Sequence, residues 1–205
     1  HLPWEAEAPE LAAWLRRRSL EQAETTDPFA LAAPAPFPEL ASQAQTLSTV
    51  GELPGGDPVQ RAHTLSVDVP GRKLAQIQAF ASRLQFQQRP THWLDWCAGK
   101  GHLGRWLTQI GQRLTCLEYD PALIESGRAL SERLGLDAVH VQQDVLADTC
   151  NARLKKEHTP VALHACGDLH VRLLQLASRN SCSQLAVAPC CYNRIAGLHY
   201  QPLSS

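Results

Sequence analysis

Acids and glycines near the ends of two apolar runs could form a binding site for a nucleoside cofactor. Asp95 lies near the end of the first run, and Glu118 ends the second. Between them stand three glycines, at Gly99, Gly101 and Gly104. Glycine lets the backbone approach a ligand where a Cβ would collide, and the first N–H groups of the next helix face that ligand. An acid placed like Glu118, 19 residues after Gly99, can accept hydrogen bonds from both ribose hydroxyls.

The charge near this glycine loop favours one cofactor over another. A loop that binds a pyrophosphate reads GxGxxG and has no acid in front of it. Here Asp95 precedes the loop, and Cys97 occupies the first glycine position. An acid repels a pyrophosphate but attracts a cation, and S-adenosylmethionine (SAM) carries an ammonium, a sulfonium and a ribose without any phosphate. The sequence therefore predicts SAM as the cofactor and predicts that NAD does not bind.

The loop resembles motif I of the class I SAM-dependent methyltransferases, with Cys97 in place of the usual first glycine. The resemblance implies that Glu118 binds the ribose and that Asp144, after the third apolar run, faces the adenine amino group. A residue such as Asp144 can also simply cap the turn that follows a strand. The cofactor-binding residues expected on this basis are Asp95, Cys97, Gly99, Gly101, Leu103, Gly104, Glu118, Tyr119, Asp144, Val145 and His164.

Histidine, cysteine and acid residues follow the fourth and fifth predicted strands. The fourth strand leads into LHACGDL at 163–169, and the fifth leads into PCCYN at 189–193. Ligands bind outside the carboxyl ends of the strands in open parallel sheets, so these segments flank the predicted methyl-transfer site. With the glycine loop they resemble a methyltransferase subgroup. It includes the eukaryotic tRNA acceptor-stem 2′-O-methyltransferases and the methyltransferase-like domain of a glutathione-transferase-related protein. The resemblance covers residues 68–194, and within it Arg72 and Lys73 are expected to contact the substrate.

The candidate catalytic residues in these two segments are His164, Asp168, Cys190, Cys191, Tyr192 and Asn193. Asp168 or His164 could act as a base or orient the substrate. Tyr192 could stack on a flat substrate, and Asn193 could bond to a base edge. Two of these residues also have purely structural interpretations: His164 could bond to backbone, and Asp168 could cap a helix that begins at the next residue.

The cysteines at these strand ends have three interpretations. Zinc could bind Cys166, Cys190, Cys191 and His164, but adjacent cysteines without a CxxC pair argue against it, and no metal is expected. A thiolate of Cys190 or Cys191 could instead attack a pyrimidine ring, although no activating base is evident. The favoured interpretation is that the cysteines are small, polarisable walls of a pocket.

Alternating strands and helices predict an α/β fold with a parallel, Rossmann-like sheet. Residues 1–60 are predicted to form an N-terminal helix (7–23) and an irregular proline-rich linker (25–60), and residues 61–205 the SAM-binding methyltransferase domain. Complete class I methyltransferases have two further strands, so the chain is expected to be truncated after the fifth strand. The predicted strands are 92–97, 114–118, 138–142, 161–166 and 185–189, with a short strand or extended arm at 64–69. The predicted helices in this part are 72–86, 102–110, 121–134, 147–156 and 169–178.

Composition narrows the possible functions. The net charge of −1 gives no general positive field for nucleic acid, and the basic residues are local. No run of about 18 apolar residues and no signal peptide is present, so no membrane association is expected. Seven cysteines without disulfide spacing suit a reducing cytoplasm.

The leading hypothesis is a SAM-dependent methyltransferase acting on RNA, either tRNA or rRNA. The alternatives are a protein or small-molecule methyltransferase, and a SAM-binding scaffold without catalysis.

Overall fold

The chain divides into two compact units, His1–Leu53 and Pro54–Ser205, in a computed structural model. The structure describes residues 2–24, 32–49, 51, 63–66 and 68–199. None of the helices in these ranges has both the length and the apolar character needed to cross a bilayer.

The described part of the first unit is helical. A 3₁₀ helix at Pro3–Ala6 is followed by α1 (Pro9–Arg17), α2 (Leu20–Ala23) and α3 (Phe37–Ser48). The prediction of one continuous helix over 7–23 is wrong, because Ser19 starts a new helix. Its hydroxyl accepts a hydrogen bond from the Gln22 N–H at 3.2 Å, and the Gln22 side chain accepts one from the Ser19 N–H at 2.9 Å. Such a capping box fixes a helix start.

The helix α3 corrects the expectation that 25–60 is irregular throughout. Pro36 is the N-cap residue of α3, and Pro38 lies in its first turn. Proline has no N–H to donate, and the N–H groups of the first helical turn have no partner within the helix, so these prolines do not oppose it. The residues that follow are mostly good helix formers such as Ala, Gln, Glu and Leu. The rest of the predicted linker lies largely outside the described residues.

The second unit contains a five-stranded parallel sheet, which confirms the predicted α/β fold class. Its strands are β1 (His92–Trp96), β2 (Arg113–Glu118), β3 (Ala138–Gln142), β4 (His158–Leu163) and β5 (Ala186–Ala188). Their order in the sheet is β3-β2-β1-β4-β5. In the central pairings, Trp96 of β1 lies opposite Leu117 of β2, and Asp95 lies opposite Val161 of β4.

Helices cover both faces of the central strand, and every residue of β1 is buried. On one face, Trp93 packs with α4 (Gly71–Ser82) and α5 (His102–Leu107). On the other face, Leu94 and Trp96 pack with α7 (Asp168–Arg179). The remaining helix, α6 (Pro121–Arg133), packs against β3. The two apolar layers hold the strand ends in place.

Three predicted elements differ from the structure in type or in where they begin, and α4 and α5 end four and three residues before their predicted ends. The fourth strand begins at His158, before the predicted 161, because its pairing with β1 starts there. Pro160 is tolerated in the strand because pairing with β5 starts only at Val161. The predicted helix at 147–156 is a 3₁₀ helix at Asp148–Arg153, a segment with several poor helix formers. The predicted strand or arm at 64–69 contains a 3₁₀ helix at His63–Ser66. Asp68 at φ +62° is incompatible with an extended strand.

Candidate active site

The sheet order creates a crevice between β1 and β4. These strands are neighbours, but the chain runs from β1 outward to β2 and β3 and then returns to β4 on the other side. Ligands bind in open α/β sheets at such a switch point, outside the carboxyl ends of the strands. The carboxyl end of β1 leads into the glycine loop, and that of β4 leads into His164.

The glycine loop has the backbone conformation that glycine favours. Gly99 has φ +56°, and Gly101, the N-cap residue of α5, has φ +74°. Cys97 has φ +53°, so the residue in the first glycine position keeps a glycine-like backbone despite its Cβ. Burial, together with the negative charges of Glu118 and Asp95, raises the pKa of the Cys97 thiol to about 12. Cys97 is therefore protonated at neutral pH.

Gly104 brings α5 into close contact with the sheet. A Cβ at this position would lie 2.5 Å from Leu114 Cδ1 and 3.0 Å from Asp95 Oδ2. The Gly104 N–H donates a hydrogen bond to Asp95 Oδ2 at 2.8 Å. This third glycine is therefore required by helix–strand packing, which is its usual role in dinucleotide-type folds.

Asp95 is a buried acid with an unusual protonation equilibrium. Its side chain is 2% exposed. Burial raises the pKa of Asp95 to about 7, although the hydrogen bond from Gly104 and the charges of Lys73 and Arg105 lower it. A cation placed near this carboxyl group would favour its ionised form.

Glu118 ties the glycine loop to the end of β2. Its Oε2 accepts a hydrogen bond from the Gly99 N–H at 2.7 Å. Its Oε1 accepts bonds from the N–H groups of Tyr119 at 2.9 Å and Asp120 at 3.1 Å. Glu118 is half-buried. The carboxylate therefore lies beside the loop, where the sequence predicted it.

The other predicted cofactor contacts occupy different environments. Asp144 Oδ1 accepts a hydrogen bond from the Leu146 N–H at 2.9 Å, so this acid does cap the turn after β3. Tyr119 is 70% exposed next to Glu118. Leu103 and Val145 are buried in the two apolar layers, where their side chains pack in the core. The roles of these residues toward a cofactor stay predictions.

Lys73 lies beside the glycine loop. It lines a cavity of about 220 Å³ together with Gly99, Lys100 and His102. Arg72, the other predicted substrate contact, is exposed at the start of α4. Of the two basic residues, Lys73 is the one that the structure brings to the loop.

Arg105 holds the loop from inside the protein, and the sequence analysis gave it no role. It is 3% exposed, its Nη1 donates to the Lys100 carbonyl, and its Nη2 donates to His102 Nδ1 at 2.8 Å. Burial and the positive charge of Arg105 lower the pKa of His102 to about 4, so His102 is neutral and can accept this bond. Arg105 follows Gly104 directly in the sequence, and the carbonyl groups of a loop need hydrogen-bond partners. An arginine next to the three glycines was therefore a sequence signal for a residue that holds the loop.

His164 begins the loop after β4 and contacts a residue that the sequence did not single out. Its backbone has φ +66°, and its N–H bonds to the Ala188 carbonyl at 2.9 Å. Its imidazole Nε2 donates to Gln76 Oε1 of α4 at 3.1 Å. Gln76 therefore orients an exposed imidazole at the crevice. No local sequence pattern links residues 88 positions apart.

Three cysteines meet at the same edge. The Sγ atoms of Cys166, Cys190 and Cys191 lie within 4.8 Å of one another, and those of Cys166 and Cys190 are 2.7 Å apart. The hydrogen bond from Cys190 lowers the pKa of Cys166, and the same bond raises the pKa of Cys190 to about 12. Of Cys166 and Cys190, Cys166 is therefore the thiol that ionises first, whereas the sequence placed the candidate nucleophile at Cys190 or Cys191.

Asp168 anchors the loop that carries the cysteine pair. It is the first residue of α7, whose N-cap residue is Gly167, so the capping interpretation of Asp168 is wrong. Its Oδ2 instead accepts a hydrogen bond from the Ala196 N–H at 2.7 Å, and its own N–H donates to the Arg194 carbonyl at 3.2 Å. A Cβ at Gly167 would overlap that carbonyl group. The loop thus packs tightly on the helix start.

Tyr192 and Asn193 lie on the outer side of this loop. Tyr192 is 53% exposed, and its ring meets that of His170 edge-on at a centroid distance of 5.5 Å. Asn193 is exposed. Both side chains are accessible from solvent.

The five-stranded parallel sheet with its flanking helices is a Rossmann-like methyltransferase fold, and sequence comparison agrees. A family model described as a methyltransferase domain matches residues 71–197, more than half of the chain. The chain therefore belongs to this methyltransferase family. The match confirms the predicted SAM-dependent methyltransferase at family level and leaves its substrate open. No curated protein matches the chain significantly.

Several solved structures are similar over part of the chain. TehB from Haemophilus influenzae is 14% identical, with a TM-score of 0.38, over 44% of this chain and 32% of its own. The tRNA (uracil-54, C5)-methyltransferase of Pyrococcus abyssi with S-adenosyl-L-homocysteine is 16% identical (TM-score 0.42; 57% and 28%). A geranyl diphosphate methyltransferase with GPP and sinefungin is 18% identical (TM-score 0.43; 52% and 40%). The matches span only 28% to 40% of these three chains, and at this level of similarity they carry no argument about substrate.

Proposed function

We propose that this protein transfers a methyl group from SAM to RNA, either tRNA or rRNA. The observation that carries the SAM site is the carboxylate of Glu118 at the glycine loop, 2.7 Å from the Gly99 N–H. Ribose would bond to Glu118, and the amino acid part of SAM would lie near Asp95, Gly99 and Gly101. Asp144 would face adenine with the carboxylate oxygen that does not cap the turn.

The choice of RNA rests on exposed side chains around the crevice and on the resemblance of the loop motifs. Tyr192 offers an exposed ring for stacking on a base, and Asn193 offers both a donor and an acceptor. Lys73 and Arg194 are exposed cations near the two loops and suit phosphates. A protein of net charge −1 needs such local cations, because it has no general positive field.

Methyl transfer from SAM is an in-line displacement, so positioning of the acceptor supplies much of the rate. His164 and Asp168 stand at the end of β4 on the acceptor side of the proposed site. Asp168 positions the loop of Tyr192 through Ala196, and His164 is held by Gln76. His164 is the residue available to accept a proton from a hydroxyl or exocyclic amine acceptor.

We further propose that no covalent bond forms between enzyme and RNA. Covalent attack on a pyrimidine needs a thiolate free to reach the ring, and Cys190 is engaged by Cys166 at 2.7 Å. Incubation with a 5-fluoropyrimidine RNA should therefore give no denaturant-stable adduct. An adduct that disappears in Cys166→Ser, Cys190→Ser or Cys191→Ser would contradict this proposal.

Labelled SAM tests the substrate class. Total RNA, total protein and small-molecule fractions from the source cell are each incubated with the chain and methyl-labelled SAM. The proposal expects label in tRNA or rRNA, and expects nuclease treatment to release it. Label that resists nuclease but yields to protease would place the substrate among proteins. Tight SAM binding without any transfer would indicate a scaffold.

A further inference from the structure

We propose that Cys166, Cys190 and Cys191 together bind one zinc ion, against the sequence-based expectation of no metal. Their Sγ atoms already lie within 4.8 Å of one another. A tetrahedral zinc ion holds thiolates at about 2.3 Å, which places two sulfurs about 3.8 Å apart. The Cys166 and Cys190 sulfurs are 2.7 Å apart, so they need to separate by only about an ångström to reach that geometry.

The path of the backbone answers the objection that adjacent cysteines cannot share an ion. Side chains of neighbouring residues in a strand point to opposite faces. Here β5 ends at Ala188, before the cysteine pair, and the Arg194 N–H bonds to the Cys191 carbonyl at 3.3 Å in a turn. Outside the strand, both Cys190 and Cys191 reach the sulfur of Cys166.

The protein itself holds the two thiol-bearing loops together. Gly167 packs against the Arg194 carbonyl without room for a Cβ. The Asp168 carboxylate accepts a hydrogen bond from the Ala196 N–H at 2.7 Å. These contacts lie immediately after Cys166 and after Cys191 in the chain. The ligands are thus arranged before the ion arrives, which reduces the entropy lost on binding.

The site provides three protein ligands. The imidazole of His164, the fourth ligand considered from the sequence, bonds instead to Gln76 at 3.1 Å. Zinc sites with three protein ligands take water or a substrate in the fourth position. Cys190 is exposed, so such a ligand can enter from solvent. Zinc binding is measured without turnover, so this proposal stands or falls independently of the proposed methyl transfer.

The experiment titrates zinc into the reduced, metal-free full chain in competition with a chromogenic zinc chelator. We expect one zinc per chain for the wild-type protein and for the control Cys182→Ser, whose thiol lies outside the group and bonds to the Lys155 carbonyl. We expect zinc affinity to fall by more than about 100-fold in each of the variants Cys166→Ser, Cys190→Ser and Cys191→Ser. A loss of that size exceeds the roughly 10- to 100-fold that follows when a residue merely hydrogen-bonded to a metal ligand is replaced. His164→Ala should bind zinc like the wild type.

Alkylation mapping of the wild-type chain tests zinc binding without relying on variants, which could lose zinc simply because they misfold. In the wild-type chain, zinc should slow alkylation of Cys166, Cys190 and Cys191 and leave that of Cys182 unchanged. Cobalt should give a thiolate charge-transfer band that is absent in the three cluster variants. Wild-type binding no tighter than that of Cys166→Ser would overturn the proposal. A reduced protein that ignores zinc and forms a Cys166–Cys190 disulfide on air exposure would also overturn it.

Discussion

Glu118 Oε2 accepts a hydrogen bond from the backbone N–H of Gly99 at 2.7 Å. One acid therefore organises the glycine loop from the neighbouring strand, and its other oxygen receives the N–H groups of Tyr119 and Asp120. Hydrogen bonds to a charged acceptor contribute about 1.5–3 kcal/mol each. A ribose that bonds to Glu118 would join a carboxylate that the protein already holds in position.

Gly104→Ala should destabilise the fold by about 1–3 kcal/mol, the usual range for overpacking a core. Its Cβ would lie 2.5 Å from Leu114 Cδ1. The matched control is Gly71→Ala, in the first turn of α4, where no atom lies within 4 Å of the added Cβ. Thermal unfolding of the two variants measures the difference. Equal unfolding temperatures for Gly104→Ala and wild type would show that α5 is not packed as closely as described.

Asp95 should make SAM binding depend on pH. Its pKa is raised to about 7, mainly by burial, and a bound ammonium group would lower it. The complex then favours the ionised acid, so affinity should rise with pH below about 7, by at most tenfold per pH unit, and level off above it. Titrations between about pH 5.5 and 7.5 keep the amino group of SAM largely protonated.

Two buried histidines near the glycine loop do not share this pH window. His102 and His140 both have a pKa lowered to about 4, chiefly by burial, so they stay neutral throughout. Asp95→Asn keeps an acceptor for the Gly104 N–H and should bind SAM more weakly, without the pH dependence. If the SAM affinity of Asp95→Asn still rises with pH as it does in the wild type, another group is responsible for the pH dependence.

The residues that hold the glycine loop and His164 in position were harder to predict from the sequence than the glycine loop itself. Asp95, the three glycines and Glu118 follow from strand ends and spacing, because a parallel sheet places successive strand ends at one edge. Gln76 and Arg105 do not, since their importance depends on which carbonyl or imidazole folding brings near them. Likewise, Leu103 stands next to Gly104 and Val145 next to Asp144 in the sequence, but both side chains are buried in the core.

Asp168→Ala should lower the methylation rate while SAM affinity stays unchanged. The variant loses the hydrogen bond to the Ala196 N–H, which holds the loop of Cys190 and Tyr192. Thermal stability should fall by about 1.5–3 kcal/mol, the contribution of a hydrogen bond to a charged acceptor. The control is Asp148→Ala, which removes only an exposed ion pair with Arg172.

Asp168→Asn separates positioning from base catalysis. The amide oxygen of asparagine can still accept the Ala196 N–H, but an amide cannot take a proton as a base. We therefore expect Asp168→Asn to recover most of the rate lost in Asp168→Ala. An equally inactive Asp168→Asn would mean that the carboxylate acts on the acceptor directly.

The close approach of the three cysteine sulfurs depends on turns that the sequence does not reveal. Cys166 and Cys190 are 24 residues apart, and only the parallel neighbours β4 and β5 bring their loops together. The strand ends were predicted to lie at one edge, but the direction of each side chain depends on the turn that follows β5. That turn is held by Gly167 and Asp168, whose contacts with residues 194–196 have no local sequence signal.

Calorimetric titration of SAM into the full chain measures the proposed cofactor site itself. We expect one-site binding to the wild-type protein and to the control Glu125→Ala, which removes an exposed acid of α6. Glu118→Ala should lose about 1.5–3 kcal/mol or more of binding free energy, at least tenfold in affinity. NAD should give no heat of binding. A Glu118→Ala chain that binds SAM as tightly as wild type, or a wild-type chain that binds NAD in place of SAM, would refute the proposed site.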